Sequence, residues 1–150
     1  MKLKVTEKDK KVVKECLKQW SQILSKLKRR KYISTYDYAE QLRHLSKISL
    51  IEKLKGKWIE EHPQYDYIEE RSGCFFCHAY KTKECGFSCD GCIYYRLMGF
   101  SCVHSPNYSD QPYAFYSNLL EVAKTCGLPI LKYTKVPKGS LEQENKAFGL

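Results

Sequence analysis

Cys74, Cys77, Cys89 and Cys92 form two C-x2-C pairs separated by eleven residues. A two-residue gap lets two thiolates of one tight turn face a single ion. A second pair then closes a tetrahedron at roughly 2.3 Å per Zn–S bond. The spacing predicts a structural zinc site with four thiolate ligands. Six of the eight cysteines fall within residues 74–102, so other donors are in reach: Cys102 is the main alternate ligand, and Cys85, His78 and His104 are lesser ones.

Three other chemistries use similar spacings. Cys85-x3-Cys89-x2-Cys92 copies the arrangement of radical S-adenosylmethionine enzymes, but this chain shows no run of strand–helix units from which to build their barrel. A simple iron–sulfur cluster remains a competing reading. Cys74-x2-Cys77-His78 matches c-type haem attachment, which needs an export route and an axial partner. A C-x2-C redox pair normally sits in a strand–helix context, and none is evident around these pairs.

Catalytic signatures are missing from the sequence. None of His44, His62, His78 or His104 is followed by the glutamate of a zinc deaminase. There is no His-Glu-x2-His motif, phosphate-binding glycine loop or Gly-x-Ser-x-Gly elbow. Val103 precedes His104, where a zinc-stapled HNH nuclease would carry aspartate. Glu60, Glu61, Glu69 and Glu70 read as solubilising charges. The expectation is a protein that is not an enzyme.

Charge is unevenly distributed along the 150 residues. Residues 1–57 hold 17 Lys/Arg against 6 Asp/Glu, a net of +11, whereas residues 58–150 net −2. That asymmetry favours an anionic partner for the first part, nucleic acid being the commonest. Lys11, Lys14, Lys18, Lys28, Arg29, Arg30 and Lys31 are the candidate phosphate contacts. Solvated faces of lysine-rich helices would give the same composition, so charge alone leaves both readings open. A rival partner is a host protein, held by aromatics around the zinc loops: Phe75, Phe76, Tyr94, Tyr95 and Phe100.

The elements that must position these groups are mainly helical, although a small α+β fold is compatible. Residues 7–30 read as an amphipathic helix, with Val12, Val13, Cys16, Leu17, Trp20, Ile23, Leu24 and Leu27 in one stripe and Thr6 as N-cap. A second helix is predicted over about 36–55, ended by Gly56. With the first it forms a basic helical hairpin over 1–57, for which a helix-turn-helix is a further reading. Residues 58–73 read as a connector and 74–104 as the zinc module. A third helix is predicted over about 111–126, within a segment 110–127. Asp110 or Ser109 caps it, Tyr113, Tyr116, Leu119, Leu120, Ala123 and Cys126 face inward, and Gly127-Leu128-Pro129 stops it. Residues 130–136 alternate enough for a short strand, and 137–150 read as a flexible polar tail. The expected architecture is thus one domain of about three helices around a zinc-stapled loop module, with one or two short strands.

No apolar run approaches 18 residues, so no membrane span is expected. Residues 1–8 lack the apolar stretch of a secretory signal, which predicts a cytoplasmic setting where clustered cysteines bind metal rather than pair.

The order Cys74-x2-Cys77-x2-Tyr80, Cys89-x-Gly91-Cys92, Gly99-x2-Cys102 and Ser105-Pro106, followed by a helix, resembles that of small cysteine-rich zinc-binding proteins encoded by tailed phages. The likeness spans about residues 70–126. Ile93 stands where proline often follows the fourth cysteine, and Cys85 is additional. The resemblance implies a phage-encoded or mobile-element protein with a metal-stapled module, working in the cytoplasm of the host cell. It implies no activity.

Overall fold

The computed structural model describes residues 4–29, 50–68, 75–80, 92–100, 108 and 111–147. They are mainly helical: α1 (Glu7–Arg29), α2 (Leu50–Glu61), α3 (Phe75–Tyr80), α4 (Ile93–Met98), α5 (Pro112–Thr125) and α6 (Ser140–Ala147), with a 3-10 turn at Pro63–Tyr65. The predicted helices at 7–30 and 111–126 therefore both form. No strand occurs among the described residues.

Helix α1 is the axis of the fold and touches α2, α3 and α5. Its predicted stripe is buried in full, from Val12 to Leu27, with Cys16 a small core residue. Thr6 caps it as expected. The Asp9 amide donates to the Thr6 hydroxyl at 3.1 Å, and the Thr6 amide donates back to Asp9 Oδ2 at 2.9 Å. This reciprocal box satisfies two backbone donors at the helix start. At the other end of the chain, Gly127 adopts φ 78° after α5. The Leu128 amide then reaches Ala123 O and the Gly127 amide reaches Lys124 O, both at 3.0 Å. That is the Schellman stop that Gly127-Leu128-Pro129 predicts.

Aromatic rings join the helices. Trp20 of α1 lies 4.8 Å from Phe115 of α5, Phe115 lies 5.2 Å from Tyr94 of α4, and Tyr94 lies 6.2 Å from Phe76 of α3. Phe75, Phe76, Ile93 and Tyr94 are thus part of the same core as α1.

Several local expectations give way. Gly56 does not end the second helix, which continues to Glu61. An interior glycine costs about 1 kcal/mol relative to alanine, whereas Trp58, two residues later, is almost wholly buried. Its burial is worth more than the glycine costs. Ile51 and Leu54 of the predicted stripe are buried, and the part of that helix at 36–49 lies outside the described residues.

Residues 130–136 are irregular, with a turn at 131–132. A strand needs a neighbour to complete its hydrogen bonds. Here the Thr134 amide donates to Ser21 Oγ at 2.8 Å, the Thr134 hydroxyl donates to Ser21 O at 2.9 Å, and Tyr116 donates to Thr134 O at 2.5 Å. The segment is laced to α1 and α5 instead of pairing as a ladder.

The expected flexible tail contains α6, on which Ser140 and Glu144 are buried. The N-cap residue of α5 is Gln111, which makes no side-chain cap bond, and the expected caps Asp110 and Ser109 lie outside the described residues. Glu144 supplies the cap from α6, accepting the Tyr113 and Ala114 amides at 2.9 Å each. Thirty residues of separation hide such a cap from any local pattern.

Candidate metal centre and basic face

Two short helices adjoin the expected zinc ligands. Cys77 lies within α3, and Cys92 immediately precedes α4 as its N-cap, half-buried, its carbonyl accepting the Arg96 amide at 2.9 Å. Gly99 closes α4 with φ 83°. Cys74 and Cys89 lie outside the described residues, as do Cys85, Cys102 and His104. Only the backbone of Cys77 is described. Among the described residues no three His, Cys, Asp or Glu side chains converge on a metal position.

What the structure does bring together is the flank of each cysteine pair. Tyr80, three residues beyond Cys77, donates its hydroxyl to Asp9 Oδ1 at 2.6 Å. Arg96, four residues beyond Cys92, donates to the same oxygen at 2.7 Å. Asp9 is 2% exposed and belongs to the first turn of α1. One carboxylate therefore caps α1 and ties both cysteine-bearing arms to it.

The charges follow from that geometry. Burial on its own raises the Asp9 carboxyl, but hydrogen bonds from Thr6, Tyr80 and Arg96 outweigh it and bring the pKa from 3.8 down to about 2. The Tyr80 hydroxyl is pushed well above its usual range, first by burial, then by its bond to Asp9, the Asp9 charge and the charge of a Cys92 thiolate. Arg96 is lowered by burial and raised by Asp9, and the raising effect wins. Asp9 and Arg96 were not legible as functional positions. The available signal was the Thr6-x-x-Asp9 box, which announces a cap and says nothing of Arg96.

Lys11, Lys14 and Lys18 are exposed on the side of α1 opposite its apolar stripe. At about 100° per residue they fall within one sector of the helix. Lys28 and Arg29 occupy the last turn of α1, and Arg30 and Lys31 lie outside the described residues. Along one edge of this face run contacts from the following elements. Lys8 sits 5.3 Å from the Tyr80 ring and Lys18 5.8 Å from the Tyr65 ring. Gln22 accepts the Trp58 indole N–H at 2.6 Å, and Lys26 pairs with Glu61 at 3.5 Å.

Beyond Tyr65 the aromatic series continues outward. Trp58 stacks on His62 at 4.0 Å and on Tyr65 at 5.3 Å, Tyr67 lies 6.2 Å from Tyr65, and His78 lies 4.9 Å from Tyr67. His62 places its Nδ1 2.7 Å from Trp58 O. The Tyr67 hydroxyl is raised by burial first, with the charges of Glu15 on α1 and of Tyr65 adding to it.

The aromatics nominated for a protein-binding surface are mostly unavailable. Phe75, Phe76 and Tyr94 are each no more than 2% exposed, because they close the core over α1 and α5. Tyr95 and Phe100 are half-buried. No helix among the described residues is long and apolar enough to cross a membrane. Comparison with protein-family models, with curated proteins and with solved structures returned no match to this chain.

Proposed function

We propose that this chain is a zinc-stapled, non-enzymatic binding module of phage or mobile-element origin that meets nucleic acid through the basic face of α1. One observation carries the reading: α1 presents Lys11, Lys14 and Lys18 to solvent while its first turn, through Asp9, holds the arms that bear Cys77 and Cys92. Zinc bound by Cys74, Cys77, Cys89 and Cys92, with Cys102 as the alternate ligand, would fix the loops that carry those cysteines. The thiolate donor set suits zinc, and Asp9, Tyr80 and Arg96 then keep those loops in register with the lysines.

Two measurements test the two halves. Protein purified without added metal is expected to contain one zinc per chain and to be colourless. A chelator should lower its melting temperature, and Cys77→Ser should do the same. Iron with absorption near roughly 400 nm, or unchanged melting of Cys77→Ser, overturns the zinc assignment.

Nucleic-acid binding through three or more phosphate contacts should weaken at least about tenfold between roughly 50 and 200 mM salt. Salt-insensitive binding, or none, overturns the partner. One stoichiometric, salt-resistant protein partner would instead favour a host-directed inhibitor.

A further inference from the structure

Tyr67 is 48% exposed, one of two large hydrophobic side chains so exposed among the described residues. Exposing a tyrosine ring forgoes burial that this protein otherwise takes wherever aromatics meet its core. The ring is not isolated. It stands at the outer end of the series Trp58, Tyr65, Tyr67, with His78 packed against it and Lys18 against Tyr65. The inner members are held firmly: Trp58 is buried, its indole N–H is bonded to Gln22, and Tyr65 meets Phe75 edge-on at 5.2 Å. Tyr67 is therefore a supported ring at the edge of the lysine face.

From this juxtaposition we infer that the nucleic acid bound by α1 is single-stranded, with a base stacking on Tyr67 and His78 while Lys11, Lys14 and Lys18 follow its backbone. The inference rests on the nucleic-acid reading above and sharpens it. In a duplex the base faces are already stacked on one another and unavailable to a protein ring. In a single strand every base offers a π-face, and stacking on an aromatic side chain tolerates any sequence. The lysines supply the electrostatic track: Lys11 to Lys18 covers about 10 Å of helix axis at about 1.5 Å per residue, enough to follow more than one nucleotide.

The test uses the full chain and two fluorescent probes at one salt concentration, oligo-dT of about 15 nucleotides and a hairpin duplex of similar charge, read by anisotropy. The wild type is expected to bind oligo-dT more tightly. Tyr67→Ala should weaken that binding roughly tenfold, leave the duplex affinity unchanged and leave the melting temperature unchanged. Tyr67→Trp should preserve it, a rescue that a loss of folding would not show. Lys11→Glu with Lys14→Glu should weaken both probes. Equal binding of the two probes, or oligo-dT binding indifferent to Tyr67→Ala but sensitive to the lysine pair, overturns stacking and leaves the phosphate reading standing. Absence of binding to either probe overturns both.

Discussion

Asp9→Ala should lower the stability of the folded chain by about 3 kcal/mol, near the lower end of what breaking a buried charge pair costs. The variant loses a capping-box carboxylate and strands two donors, the Tyr80 hydroxyl and the Arg96 guanidinium. Arg96 retains some solvent contact, its side chain being 26% exposed, which moderates the penalty. For a chain of this size the loss corresponds to a fall of roughly 10 °C in melting temperature. Asp9→Asn keeps the shape and removes the charge, so it separates the ion pair from the hydrogen bonds. A double-mutant cycle with Arg96→Gln measures their coupling directly.

The same group gives an acid limb. Its carboxyl has a folded pKa of about 2 against an ordinary 3.8, so its contribution is fully present above pH 3.8 and is lost as pH falls towards 2. That is on the order of 2 kcal/mol. Melting scans from pH 5 to about 2 should show the loss in the wild type and not in Asp9→Asn. Identical acid profiles would mean that the clamp contributes nothing.

Glu144 has the opposite linkage. Burial raises its carboxyl from 4.5 to about 7, against the lowering effect of the Ala114 and Tyr113 amides. Between pH 4.5 and 7 the unfolded chain gives up this proton while the folded chain keeps it, so stability falls as pH rises and levels off above 7. The group should cost on the order of 3 kcal/mol across that window. Burial pushes the nearby Tyr113 hydroxyl up to about 12, with the Glu144 charge adding to the shift, so the tyrosine stays protonated throughout.

Glu144→Gln resembles the protonated acid at every pH. It should match the wild type near pH 4 and exceed it above pH 7, by an amount a thermal melt resolves easily. If Glu144→Gln is instead the weaker protein at pH 8, the two amide bonds and the helix dipole outweigh burial. The wild-type carboxylate would then be the better cap.

These two carboxylates mark where reading the chain alone stopped. Thr6 as a cap, the buried stripe of α1 and the Gly127 stop were legible because each depends on residues within a few turns. Asp9 was not legible as a clamp, because its partners lie 71 and 87 positions away. Glu144 read as one more charge in a polar tail, since nothing near it signals a helix start thirty residues earlier. Ile130 to Val136 alternated like a strand but found hydroxyls of α1 in place of a neighbouring strand. Gly56 was read as a stop because propensity is local, and the burial of Trp58 that overrode it is not.

Composition and spacing by themselves determined three things about this protein: a helical chain, basic charge gathered into its first part, and two C-x2-C pairs separated by eleven residues. Those features follow from covalent structure and short-range periodicity. Tertiary structure decided which polar groups left water. It buried Asp9 and Glu144, took Phe75, Phe76 and Tyr94 out of reach of any partner, and left Tyr67 at the edge of the lysine face. Desolvation and pairing depend on what a side chain meets after folding, and no neighbour in sequence carries that information.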